Sequence, residues 1–346
     1  MTVKKMLNNI RHIFVLVCAW VLFQGTSGVV SAEEPESVFS MTHAVEQAIL
    51  SGDYRLAERI ADEFRAGTPD HPAGPLMRAS ILQYEAVDYD DFSQKQEFED
   101  WIAKTERLSD ARLKKNDQDQ WARYYLASAE GLHAAFESLS GNKFSAMRKG
   151  RSGAARMNRI IEADADFHDA YLLHGSYLFW KSVATRRISW LPFIDDDEKR
   201  GIAEIERAVG RGLVFGPLSN TVLMDVLVTY DPKRARVLGE ELVSNYPSCR
   251  LFAWQLGEAY KKLGRMDDAR TVFTRIAESM RNDPADDGSG ELRCWWKVAV
   301  LAHDTGDDAL CSEYCERVLA FEDRPEVARR QHARIEQARQ FMKECQ

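Results

Sequence analysis

The side chains best suited to chemistry are cysteines, histidines and one acidic run, and none has a spacing that a known reaction requires. Beyond Cys18 lie Cys249, Cys294, Cys311, Cys315 and Cys345. They include no CxxC pair and no matching histidine spacing, so no zinc site is expected. Cys311 and Cys315 are four residues apart and share a helix face, with Cys294 on the preceding helix. In an exported chain one bridge from Cys294 to Cys315 or Cys311 would be geometrically reasonable. The same residues also suit a second role, as small buried side chains at close helix contacts. His133, His168 and His174 read as core or solvent histidines, the last two lying six apart and so off a common helix face. Asp195-Asp196-Asp197-Glu198 lacks the alternating oxygens and the glycine of a calcium loop. It precedes a helix start, where acids satisfy free N–H groups and complement the helix dipole. The chain has no G-x-S-x-G, no Gly-rich phosphate loop and no H-E-x-x-H, so neither an enzyme nor a cofactor is expected.

One loop is less easily explained. Arg186-Arg187-Ile188-Ser189-Trp190-Leu191-Pro192-Phe193 puts large apolar side chains beside two arginines. Either it folds back to bury Trp190 and Phe193, or Arg186, Arg187, Trp190 and Phe193 meet a partner or a membrane surface.

The elements that position these groups are helices. Apolar residues recur with helical period through nearly the whole chain after the N-terminus, and no convincing β alternation appears. The segment Leu251 to Asn282, LFAWQLGEAYKKLGRMDDARTVFTRIAESMRN, is the clearest. Leu256-Gly257, Tyr260, Ala269 and Phe273 stand at the offsets L-G-x2-Y and A-x3-F, with Gly264 at the turn. Gly257 and Ala269 are small where two antiparallel helices approach, and Leu256, Tyr260 and Phe273 pack around them. This segment resembles the tetratricopeptide (TPR) repeat family. The tryptophan position of the family holds Ala253, and Trp254 follows one residue later, turned by roughly 100° around the helix.

The resemblance implies an all-α, TPR-like right-handed solenoid of about seven hairpins plus a C-terminal capping helix, covering most of Ser37 to Cys345. The hairpins are expected at about 37–68, 73–116, 120–163, 169–211, 217–245, 250–281 and 291–321, and the polar cap at 325–345. Within the second, Asp88 to Asn116 reads as a longer polar insert. Trp295 takes the family tryptophan position in the seventh. In TPR proteins the first helix of each hairpin lines the concave groove. The resemblance therefore implies Leu251, Trp254, Glu258, Lys261 and Lys262 as groove residues, and by weaker alignment Asp169, Leu172, Ser176 and Trp180. A groove role for Trp254 implies that its loss barely changes stability.

The N-terminus reads as a secretory signal. Lys4, Lys5 and Arg11 precede an apolar run from Ile13 to Phe23, and Val30-Ser31-Ala32 supplies small residues for cleavage. The run is too short to span a bilayer, which needs about 20 residues. Cleavage after Ala32 removes three positive charges and no acid, taking the net charge from −8 to −11. Such acidity disfavours nucleic-acid backbones, and no later segment is long and apolar enough to cross a membrane. The expected protein is an exported, periplasmic or envelope-associated scaffold. It binds a protein or peptide in envelope assembly or transport, without cofactor or metal. The alternative is a solute-handling accessory similar to the periplasmic TPR proteins of TRAP transporters, its closed apolar pore lined by Trp180, Trp190 and Trp254.

Overall fold

The computed structural model describes residues 34–186, 196–214 and 216–345. The signal segment and the loop residues Arg187, Trp190, Phe193 and Asp195 lie outside the described residues. Among the described residues there are sixteen α-helices and no strand. Hairpin one is α1 (Glu36–Leu50) and α2 (Tyr54–Gly67); hairpin two is α3 (Ala73–Tyr89) and α4 (Lys95–Lys115). Then follow α5 (Gln120–Leu139) with α6 (Lys143–Ala163), and α7 (Ala170–Thr185) with α8 (Glu198–Arg211). Hairpin five is α9 (Asn220–Tyr230) with α10 (Pro232–Asn245), and hairpin six is α11 (Arg250–Lys262) with α12 (Met266–Arg281). Hairpin seven pairs α13 (Ser289–Asp304) with α14 (Asp308–Leu319), and α15 (Pro325–Arg330) and α16 (His332–Glu344) end the chain.

Local sequence explains most of these boundaries. Gly52, Gly141, Gly264 and Gly306 take positive φ between the two helices of hairpins one, three, six and seven, a conformation that costs other residues more. Asp53, Asp119, Asn142, Asp231 and Asp307 each accept a backbone N–H in the first turn that follows, satisfying donors the helix leaves free. Small residues then set the close crossings. Gly175 and Gly201 face each other across α7 and α8, where a Cβ on either would lie 2.6 Å from the other's carbonyl oxygen. Gly257 abuts the Phe273 ring in the same way, as its place in the repeat requires. Trp295 is fully buried, a core residue at the family's tryptophan position.

Two expected elements are corrected. The polar insert of Asp88 to Asn116 is mostly α4, an ordinary second helix; its buried Phe98, Ile102, Thr105 and Ser109 recur at three- and four-residue steps. The C-terminal cap is two helices. They part at Gln331, whose side-chain amide reaches back to donate to the Asp90 carboxylate at 2.8 Å.

That last contact belongs to a closure that no repeat pattern contains. The end of α3 docks against hairpins six and seven. Asp88, buried, receives Arg250 on both carboxylate oxygens, at 2.6 Å for the closest pair, and the Tyr54 hydroxyl at 3.1 Å. Arg250 also pairs with Asp283, which accepts the Tyr89 hydroxyl. Arg293 donates to the carbonyls of Val87 and Asp88, while Asp90 gathers Arg334 and Gln331. On α1, the Glu46 carboxylate accepts the backbone N–H groups of Gly216 and Leu218. The first two hairpins are thus tied to the fifth, sixth and seventh, and the solenoid is closed on itself by charge.

Candidate functional site

The groove positions of hairpin six already have an occupant. Trp254 is half-buried, edge-on to Phe273 at 4.9 Å between centroids. Arg293 of α13 lies 4.0 Å above its ring. The Lys297 ammonium stands 5.5 Å from Trp254, 5.7 Å from Phe273 and 5.6 Å from Trp296, and pairs with Glu258 at 2.6 Å. Burial lowers the Lys297 pKa, and Glu258 opposes the shift. Shifting the indole one residue along α11 turns it toward the next hairpin, which fills the aromatic cup with its own cation. Leu251 is buried, Lys261 half-buried and Lys262 exposed.

Asp169 is corrected as well. It is buried, and its carboxylate accepts the backbone N–H groups of Leu213 and Val214 at 2.9 Å. It sits at the start of α7 and fastens the chain leaving α8, so it does not face an open groove. His174 is buried against Glu204 across the same hairpin, and His168 meets Arg207; both are structural. In the acidic run, Asp196 accepts the Glu198 N–H, Asp197 pairs with Lys181, and Glu198 pairs with Arg186. Arg186 is therefore exposed but engaged with its own hairpin.

The cysteines form no bridge. Cys249, Cys294, Cys311, Cys315 and Cys345 are free thiols, so the Cys294–Cys315 pairing is corrected. Cys311 and Cys315 do share a face, with sulfurs 4.0 Å apart, and Cys345 of the terminal helix lies beside Cys311. Cys294 is wholly buried, its thiol pushed up to about 12 by burial, among the charges of Arg293 and Asp88. Among the described residues one triad has metal-ligand geometry: Glu99, His133 and Glu137. Its cation is Lys95, whose ammonium is 2.6 Å from Glu137 and 3.5 Å from Glu99.

What remains open is the stretch between α7 and α9. Trp180 and Tyr230 are each 37% exposed, and Phe179 lies edge-on between them, 5.1 Å from Trp180 and 6.4 Å from Tyr230. Ser176, one turn before Trp180, is half-buried. Asp225 lies five residues before Tyr230 on α9. Its side chain is exposed, and desolvation by the surrounding protein raises its carboxyl to about 6. Among the described residues its carboxylate has no hydrogen-bond or ion-pair partner, although most buried or crowded carboxylates of this chain have one. Sequence reading named Trp180 and Ser176 but passed over Asp225, which belongs to no motif. Trp180 packs on Phe179 and Trp254 on Phe273, while Trp190, the third residue expected in an apolar pore wall, lies outside the described residues. A separate cleft of about 450 Å³ between α12, α13 and α14 is walled largely by charged and hydroxyl side chains, including Asp267, Arg270 and Glu278.

Together these features define a TPR-like α-solenoid in which the expected groove residues Trp254, Glu258 and Asp169 are committed internally. No protein-family model and no curated protein matches the chain. Among solved structures it is similar to a Rap protein complexed with competence and sporulation factor, at 12% identity over 86% of this chain and 78% of that one, with a TM-score of 0.47. It is also similar to yeast Tom70, at 10% identity over 87% and 89% with a TM-score of 0.27. The third is the APC/C hetero-tetramer Cut9–Hcn1, at 13% identity over 88% and 79% with a TM-score of 0.21. Likenesses this distant leave the architecture to rest on the chain's own helices and crossings.

Proposed function

We propose that the protein is an exported scaffold that holds a protein or peptide partner in envelope assembly or transport, on the open stretch between α7 and α9. The observation that carries this reading is Asp225, an exposed carboxylate without a partner among the described residues, five residues before exposed Tyr230 on α9, whose ring shares the Phe179 edge with Trp180. Desolvation by the surrounding protein disfavours the ionised form of Asp225, and a cation beside it would favour that form again. The aromatic pair favours flat apolar or cationic side chains. The fitting partner is a segment that presents Lys or Arg close to an apolar residue.

A photo-reactive residue at position 180 tests this in the native envelope, with captured proteins identified by mass spectrometry. One partner captured at pH 7.5, and lost both at pH 5 and with Asp225→Asn, supports the site. Capture unaffected by Asp225→Asn would refute it. Export is a separate part of the reading. N-terminal sequencing of the native protein should begin at Glu33, and an intact Met1 in a membrane fraction would overturn it.

A further inference from the structure

The tip of hairpin three has a composition unlike the rest of the chain. From Ser138 to Ile161 there are six basic residues and no acidic one, in a chain whose net charge is −8. Three of its large apolar side chains are exposed: Leu139 at 50%, Phe144 at 86% and Met147 at 41%. Phe144, Met147, Arg148 and Arg151 stand at i, i+3, i+4 and i+7, so one face of the first two turns of α6 is apolar and cationic together. Lys143, Arg148 and Arg151 are exposed and have no carboxylate partner among the described residues. Arg156, one turn further in, is already paired with Glu130. Lys149, between Arg148 and Arg151, turns inward to His133, so the free cations are those on the outward face.

We infer that this tip docks on an anionic phospholipid surface, with Phe144 and Met147 entering the interfacial layer and Lys143, Arg148 and Arg151 meeting lipid phosphates. Two features select a bilayer over a protein partner. A stable protein interface needs about 800 Å² from each side, and three side chains on a projecting turn offer far less. A soft interface accepts a convex tip, and cations beside the inserted ring supply the second attraction that such shallow insertion needs. An overall acidic protein meets an anionic membrane best through a basic patch, so docking here would also bias its orientation. The inference is independent of the α7–α9 site and can fail without it.

The test is flotation of the chain from Glu33 onward, which contains every described residue, with vesicles of phosphatidylcholine alone or with phosphatidylglycerol. Binding is expected only with phosphatidylglycerol, falling at least tenfold in high salt, with Arg148→Glu/Arg151→Glu and with Phe144→Ser. All three residues are exposed, so circular dichroism should show each variant folded. Equal binding to both vesicle types, or variants that bind like the parent, would overturn the inference. So would absence of binding accompanied by salt-sensitive self-association, which would make the tip a contact between copies.

Discussion

Gly257→Leu is the sharpest perturbation of the hairpin architecture. A Cβ built on Gly257 lies 2.6, 2.9 and 3.0 Å from three atoms of the Phe273 ring, where carbon atoms pack at about 3.5–4.0 Å. The ring cannot step aside, because Phe273 is fully buried and Trp254 stands edge-on to it at 4.9 Å. Relief therefore requires α11 and α12 to separate by about 1 Å at their crossing, a distance set by that overlap. Overpacking by extra methylenes costs roughly 1–3 kcal/mol, and a whole leucine side chain at this crossing exceeds that, at roughly 3–5 kcal/mol. Replacing a helical glycine returns about 1 kcal/mol, which leaves a net loss of roughly 2–4 kcal/mol. For a domain of this size that lowers the melting temperature by roughly 5–10 °C. Hydrogen exchange should quicken first in α11 and α12, then in α10, whose Gly239 rests on Leu256, and in α13. Adding Phe273→Ala should restore part of the loss, giving a coupling of at least about 1 kcal/mol. An unchanged melting temperature, or damage confined to α11, would refute the close crossing.

Three further outcomes follow from the same geometry. Arg250→Met leaves Asp88 buried without its cation and should cost about 3–5 kcal/mol in chemical denaturation, with the Asp88→Asn/Arg250→Met double variant costing less than the sum; a loss below about 1 kcal/mol would mean that the closure is not structural. Trp254→Ala should lower stability by about 2 kcal/mol, because it removes the Phe273 contact and the face under Arg293; unchanged thermal denaturation would return Trp254 to an open groove. Asp225 has its folded pKa raised from 3.8 to about 6, so its contribution is favourable below about pH 4 and is lost as pH rises through 6. Asp225→Asn should accordingly stabilise the protein at pH 7.5 by at most about 1 kcal/mol, discounted for the solvent that reaches the group, and have no effect at pH 4; stabilisation at both values would point to another cause.

The hairpins were legible in the sequence because their determinants are local. Gly264, Ala269 and Phe273 sit within one turn-and-helix unit, and the same turn glycine and alanine recur at Gly52 and Ala57. The closure was illegible for the opposite reason. Asp88 and Arg250 are 162 residues apart, and neither breaks the helical pattern around it. Asp88-Tyr89-Asp90-Asp91 consequently reads as the start of a solvated insert, when its acids are the socket for Arg250, Arg293 and Arg334. Asp169 misled through register. Weaker alignment with the repeat places it on the groove face, but α7 begins at Ala170, and its carboxylate instead accepts the backbone N–H groups of Leu213 and Val214. Cys294 failed similarly, since residence on the helix before Cys311 does not say which neighbour that face meets.

Candidate binding residues are harder to read than folding residues because a solenoid uses the same side chains for both. Trp254, Glu258 and Lys297 form the cation-in-aromatic arrangement a peptide groove would use, and they spend it on joining hairpins six and seven. What identifies a free site is then a group left without a partner, which only the assembled structure shows. By that criterion Asp225 and the Lys143–Arg151 tip stand out among the described residues, one an unpaired carboxylate near exposed Tyr230, the other unpaired cations beside an exposed ring. Their opposite charges select opposite ligand charges. If both act, the solenoid would lie against an anionic surface by hairpin three while the stretch between α7 and α9 selects a cationic segment.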